Sequence, residues 1–123
     1  MTSKELAGKI VKILDSKKAL DIRVIGISDL TIIADYFVLA TGTSNTQVKA
    51  LADEVEYQLK QQDIMPNRME GYNSSSWILV DYGNVVVHIF QKDTRDFYSL
   101  ERLWADGEQI DINEFLTSEG DNA

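Results

Sequence analysis

The chain has 123 residues, of which 44% are hydrophobic and 26% are charged, and its formal charge is −8. This composition is typical of one folded domain, and the lack of cysteine excludes disulfides, thiolate nucleophiles and sulfur-ligated metal sites. No apolar run approaches the roughly 20 residues that a membrane-spanning helix needs, and the first residues lack the layout of a signal peptide, so we expect a cytoplasmic protein.

Charge is distributed unevenly along the chain. Residues 1–23 carry six Lys or Arg against three acids, whereas residues 24–123 carry six against seventeen. A surface of this sign repels phosphates, so we expect little direct contact with nucleic acid and favour a basic protein as the partner. The lysines of the first segment lie mostly off its apolar stripe, and we interpret them as a solvated face rather than an RNA contact.

The first third of the chain predicts one helix and two strands. Thr2 followed by Glu5 is a capping-box pattern, and the apolar stripe behind it predicts a helix from about residue 3 to 17. Branched and aromatic residues then predict strands over Ile22–Ile27 and Tyr36–Thr41.

A second helix follows the second strand. Ser44 and Gln47 repeat the capping-box spacing ahead of another apolar stripe, which predicts a helix ending near Gln62. Pro66 is the only proline, so it marks a clear break, and a short strand over Arg68–Glu70 is predicted after it.

The strongest strand pair comes next. Two apolar runs, Trp77–Tyr82 and Val85–Phe90, are joined by Gly83 and Asn84, which is the chemistry of a hairpin turn. Together with the earlier strands, this pair predicts a single α/β domain in which helices flank a mixed β-sheet.

The end of the chain predicts a last helical stretch and an acidic tail. Asp93 or Thr94 is the expected cap of a helix that runs to Trp104. Beyond it there are six acids and no Lys or Arg. We therefore expect a domain over residues 1–105 and a partly flexible acidic extension over residues 106–123, although its apolar residues would allow part of it to dock.

Catalytic groups are sparse. The only histidine, His88, lies inside a predicted strand, where we interpret it as a packed and hydrogen-bonded residue. The Gly42–Thr46 turn lacks the last glycine of a hydrolase elbow and the lysine of a phosphate-binding loop. A nucleotidyltransferase needs two or three carboxylates on magnesium, and the strands offer Asp81 alone. We expect neither enzymatic activity, nor a metal, nor a cofactor.

The predicted hairpin and the segment after it carry a long ungapped resemblance. Residues Trp77 to Phe90 closely resemble the signature of the bacterial ribosomal silencing factor family, also called the Iojap family. Similar residues span nearly the whole chain, from the first helix to Trp104: Asp35–Val38, Thr41–Ser44, Glu70–Gly71, Arg95, Phe97–Tyr98, Leu100–Glu101 and Leu103–Trp104.

This resemblance implies a fold, a partner and a mechanism. The fold is an α/β domain of nucleotidyltransferase-like topology without catalytic carboxylates, homodimeric when free. The partner is the large ribosomal subunit, bound at its intersubunit face through a basic ribosomal protein, the one numbered fourteen. Bound there, the protein represses translation, mainly under nutrient limitation, because the small subunit is sterically kept from joining. The resemblance places these residues on the partner-binding surface: Trp77, Asp81, Tyr98, Leu100, Glu101 and Trp104.

Two alternatives to this interpretation stay open. From spacing alone, Trp77, Leu100 and Trp104 fit a hydrophobic core, and only Tyr98 looks exposed on helical geometry. The function also has alternatives: an enzyme that binds nucleotide and magnesium near Ser44 and Asp81, or a dimeric scaffold for ribosome assembly.

Overall fold

A computed structural model describes residues 1–116 of the chain, except for the side chains of Phe97, Tyr98 and Leu103. Helices and strands alternate irregularly, and no helix within residues 1–116 is long and apolar enough to span a membrane. The elements in chain order are α1 Ser3–Ser16, β1 Leu20–Gly26, β2 Tyr36–Gly42, α2 Asn45–Lys60, β3 Arg68–Glu70, β4 Trp77–Asp81, β5 Val85–Gln91, α3 Lys92–Tyr98, α4 Leu100–Leu103 and β6 Glu108–Ile110.

The six strands form one mixed sheet in the order β3-β4-β5-β2-β1-β6. The central pair, β2 and β5, is parallel, and its two strands are joined by a crossover that contains α2. Every other neighbouring pair is antiparallel. The predicted single α/β domain with a mixed sheet and flanking helices is therefore confirmed.

Both long helices begin at the predicted caps. Thr2 and Glu5 form a complete capping box, because each side chain accepts a hydrogen bond from the other residue's backbone amide at 3.0 Å. Ser44 Oγ likewise accepts from the amide of Gln47 at 3.1 Å. The Gln47 side chain, however, accepts from the amide of Thr43, one residue before the cap. These local bonds satisfy amides that a helix start leaves free.

One face of the sheet is covered by α1 and α2. Their inward stripes, including Ile10 and Leu14 on α1 and Val48 and Val55 on α2, are fully buried against the strands. Truncating one such aliphatic side chain typically costs about 2–5 kcal/mol, so this layer is a major source of stability.

The opposite face carries a smaller apolar cluster under α3 and α4. The short helix α3 packs mainly against β5 and β2. It therefore covers β4 and β3, at the edge of the sheet, less than the central strands. Trp77, Leu79 and Trp104 pack against this cluster while only partly buried. Its buried members are Ile25, Ile27, Ala34, Phe37, Leu39, Val86, Phe90 and Leu100.

The last helical stretch differs from its prediction in two ways. The helix is capped by neither Asp93 nor Thr94; it begins directly after β5, with Gln91 at the cap position and no side-chain cap bond. It is also interrupted at Ser99, whose φ of 49° is left-handed and ends α3 before α4 begins. The prediction of a cap at Asp93 or Thr94 was wrong, because the final residue of β5 already supplies the extended backbone that a cap position needs.

The sheet contains a sixth strand that the sequence pattern did not reveal. Strand β6 pairs with β1, placing Ile110 opposite Val24. Farther along, the ring of Phe115 packs on Gly8 of α1 so closely that a Cβ there would lie 2.7 Å from it. Residues 108–116 thus belong to the described fold, whereas the last part of the predicted acidic extension, residues 117–123, lies outside the described residues.

Candidate functional site

The edge of the sheet farthest from β6 leaves one face open. Successive side chains along β4 point to opposite faces of the sheet. Ile78 and Val80 point toward the helices and are fully buried. The other face carries Trp77, Leu79 and Asp81. Register places Leu79 opposite His88 on β5 and Asp81 opposite Arg68 on β3. We call Trp77, Leu79, Asp81, His88 and Arg68 the open face.

Trp77 has a fixed orientation on this face. Its indole Nε1 donates a hydrogen bond to Nδ1 of His88 at 3.1 Å, and the centroid of its ring lies 5.0 Å from the ring centroid of Phe90. The side chain is only half-buried. A large aromatic group that is held in place yet partly accessible can bury its remaining surface on binding at little cost in rotamer entropy.

His88 forms the floor of the open face. It is 4% exposed, and its ring meets the edge of Phe37 at 4.8 Å between centroids. Burial lowers the pKa of His88 to about 4, although the charge of Asp81 acts in the opposite direction. The ring is therefore neutral at pH 7. Because Nδ1 accepts from Trp77, the proton lies on Nε2, which has no hydrogen-bond partner among the described residues. The predicted packed and hydrogen-bonded histidine is confirmed.

Asp81 is held by its neighbours. Its Oδ2 lies 3.1 Å from Nε of Arg68, and its Oδ1 accepts from the amide of Gly83 at 2.7 Å. Arg68 also pairs with Glu70 at 2.9 Å, so this group of two acids and one base has a net charge of −1. Within residues 1–116, no group of three His, Cys, Asp or Glu is placed to hold a metal ion.

A small pocket opens beside these residues. Its volume is about 190 Å³, and its walls combine apolar side chains with the charged pair. The lining residues are Ile33, Phe37, Arg68, Leu79, Asp81, Gly83, Val86 and His88. A partner that enters this site would meet apolar walls and the ion pair of Arg68 and Asp81.

Arg95 attaches α3 and α4 to the sheet, a role that its place in the sequence does not reveal. The residue is 4% exposed, and Nη1 donates to the carbonyl of Asp21 at 2.7 Å and to Oγ1 of Thr41 at 2.8 Å. Its Nη2 lies 3.1 Å from Oε2 of Glu101. Glu101, half-buried, is thereby fixed at the edge of the short helices.

The other predicted partner-binding residues occupy different environments. Leu100 is 8% exposed and belongs to the buried cluster, so it contributes little free surface. Trp104 is partly buried and meets Phe37 edge-on at 5.2 Å. Tyr98 lies in α3, and its side chain lies outside the described residues. The structure thus brings Trp77, Leu100 and Trp104 to one cluster on the side of the sheet that carries Asp81.

Comparison with known proteins identifies the family. A family model described as "Ribosomal silencing factor during starvation" matches residues 1–123. The ribosomal silencing factor RsfS of Halalkalibacterium halodurans is 38% identical over 112 residues, which cover 91% of this chain and 96% of that protein. RsfS of Bacillus subtilis is 41% identical over 99 residues, which cover 80% of this chain and 84% of that protein.

A solved structure and one mouse protein are also similar to this chain. A crystal structure of a Chromobacterium violaceum protein has a TM-score of 0.83 at 39% identity and covers 85% of this chain and 88% of that one. The mouse protein named mitochondrial assembly of ribosomal large subunit protein 1 is 34% identical over 101 residues, which are 77% of this chain and 43% of that protein. The resemblance found in the sequence is confirmed: the chain belongs to the ribosomal silencing factor family.

Proposed function

We propose that this protein represses translation by binding the large ribosomal subunit through the open face and blocking the small subunit from joining it. The observation that carries the proposal is the partly accessible indole of Trp77, held by His88 on a sheet face that the short helices do not fully cover. Aromatic residues of this kind dominate the binding energy of protein interfaces. We place this activity in the bacterial cytoplasm.

The proposed partner is a basic protein of the large subunit, the one numbered fourteen. The chain has a formal charge of −8, and the open face carries a net negative group around Asp81. Complementary charge speeds the encounter of two proteins and disfavours wrong partners. The name of the mouse relative, which refers to assembly of the ribosomal large subunit, supports the choice of subunit.

The proposed mechanism is steric and needs no chemical step. A chain of this length has a radius of gyration of roughly 14 Å, so once anchored it fills a volume that an approaching subunit must enter. A standard interface of about 800 Å² per partner is enough for stable binding. Asp81, the strand carboxylate considered for magnesium, is instead paired with Arg68, which favours a role without catalysis.

An assembly role is the second candidate, because the mouse relative is named for assembly of the large subunit. Both roles require the same subunit, but they differ in time: a silencing factor acts on finished subunits, whereas an assembly factor binds precursors.

We also propose that the free protein is a homodimer. Light scattering with and without the partner would test this oligomeric state.

The first experiment is co-sedimentation of the purified protein with purified large subunits. We expect binding by the native chain and a roughly tenfold or greater loss for Trp77→Ala, the size that removal of a central aromatic anchor causes. Tyr57→Ala is the matched control, because Tyr57 is 60% exposed on α2, which packs on the other face of the sheet. Absence of binding by the native chain would refute the proposal.

A further inference from the structure

Two isoleucines in the loop between β1 and β2 are exposed to solvent. Ile32 and Ile33 are 102% and 68% exposed, more than any other large hydrophobic residue whose side chain is described. A single exposed aliphatic residue is ordinary, but adjacent ones that extend a partly apolar face mark an interaction site.

Backbone hydrogen bonds hold both ends of the loop that carries them. The amide of Ile27 donates to the carbonyl of Asp35 at 2.8 Å and closes the base of the loop, while the amide of Thr31 donates to the carbonyl of Ile27 at 3.1 Å. The amide of Asp35 donates a hydrogen bond to the carbonyl of Asn84 at 2.8 Å, and Ala34 is buried at 5% exposure. The backbone on either side of the isoleucines is thus anchored, which limits the ordering that binding through them would require.

The loop borders the open face. Ile33 lines the same pocket as Leu79, Asp81 and His88. The apolar surface of the loop is therefore continuous with the surface proposed to bind the large subunit, and one partner can cover both.

Charge decides which partner fits. Asp29 is exposed in the same loop, and the group of Arg68, Glu70 and Asp81 nearby has a net charge of −1. A second copy seated on this loop would bring its own acidic groups against these ones, whatever surface joins two free copies. A basic protein would pair with these acids while its apolar residues cover the isoleucines.

We infer that Ile32 and Ile33 are a second anchor of the docking surface, seated on an apolar patch with neighbouring Lys or Arg on the same basic large-subunit protein. The inference rests on the proposed function and deepens it, because it extends the contact from the open face to the β1–β2 loop. The partner then contacts the domain both at the open face and at the β1–β2 loop.

The test is a binding titration of purified large subunits with the double variant Ile32→Ser and Ile33→Ser. We expect a roughly tenfold or greater rise in the dissociation constant, the effect of removing a buried apolar anchor. Tyr57→Ser is the matched control and should leave the constant unchanged. Both substituted loop residues are exposed, so the fold should survive, which the circular dichroism spectrum and melting temperature would show.

The outcomes separate this inference from the proposed function. If the double variant binds as tightly as the native chain while Trp77→Ala binds weakly, the second anchor is refuted and the proposed function stands. If the double variant loses only self-association, a second copy covers the loop and the inference is refuted. If the native chain itself does not bind large subunits, the proposed function is refuted and the second anchor is refuted with it.

Discussion

Trp77 and His88 are joined by a bond that runs diagonally across two strands. Register places Trp77 opposite Phe90 and His88 opposite Leu79, yet the indole Nε1 reaches Nδ1 of His88 at 3.1 Å. The bond fixes the ring that we propose as the central anchor, and it also fixes the tautomer of the buried histidine. Stability and binding are therefore coupled at this pair.

Replacing Trp77 with Phe tests the bond separately from the aromatic surface. Phe keeps a ring but removes the N–H, which leaves the buried Nδ1 of His88 without its donor. We expect a loss of about 1–3 kcal/mol in the free energy of unfolding, measured by urea denaturation. Trp104→Phe is the control, because the described residues offer the Trp104 indole no hydrogen bond; equal losses in the two variants would contradict the role of the bond.

The lowered pKa of His88 predicts a pH-dependent stability. Unfolded histidine titrates near 6.5, whereas burial lowers the pKa in the folded chain to about 4. Between these values the unfolded chain binds a proton that the folded chain does not, so acidification favours unfolding. We expect the free energy of unfolding to fall by about 2 kcal/mol from pH 7.5 to pH 5 on account of this group.

His88→Gln separates this contribution from that of the carboxylates. The variant should be less stable at neutral pH but should lose about 2 kcal/mol less than the native chain on going to pH 5. Urea titrations at both pH values measure the difference. The same pH dependence in the two proteins would show that His88 is not the group responsible.

Arg95 should matter for stability far more than its sequence position indicates. Arg95→Ala removes the bonds to Asp21 and Thr41 and leaves Glu101 unpaired, so we expect a loss of about 3 kcal/mol in the free energy of unfolding. Arg102→Ala, an exposed arginine on the neighbouring helix, is the control and should cost less than about 0.5 kcal/mol. Hydrogen exchange should become faster in α3 and α4 of the Arg95 variant alone.

Phe115 reports whether residues 108–116 belong to the folded domain in solution. The residue is 9% exposed, and its ring packs on Gly8 of α1. We expect Phe115→Ala to lower the free energy of unfolding by about 3 kcal/mol, as measured by thermal denaturation. Met65→Ala, at an exposed position, is the comparison. A negligible effect at Phe115 would mean that this segment does not dock.

The features that the sequence predicted correctly are local ones. A capping box needs only Thr2 and Glu5, and the hairpin of β4 and β5 needs only two apolar runs around the turn at Gly83 and Asn84. These signals lie within a few residues of one another, so no tertiary information is required.

The features that the sequence did not predict depend on distant partners. Arg95 is buried because acceptors 74 and 54 residues away, on Asp21 and Thr41, surround it. Strand β6 has only three residues, and its pairing with β1 has no local signature. The exposure of Ile32 and Ile33 is equally invisible in a sequence, where two isoleucines indicate a core.

Subunit joining is the measurement that tests the central claim most directly. Light scattering would follow the association of purified small and large subunits in the presence of the native protein, Trp77→Ala or Tyr57→Ala. We predict that the native chain and the Tyr57 variant prevent joining, whereas the Trp77 variant permits it at equal concentration. Normal joining with the native protein bound to the large subunit would contradict the account.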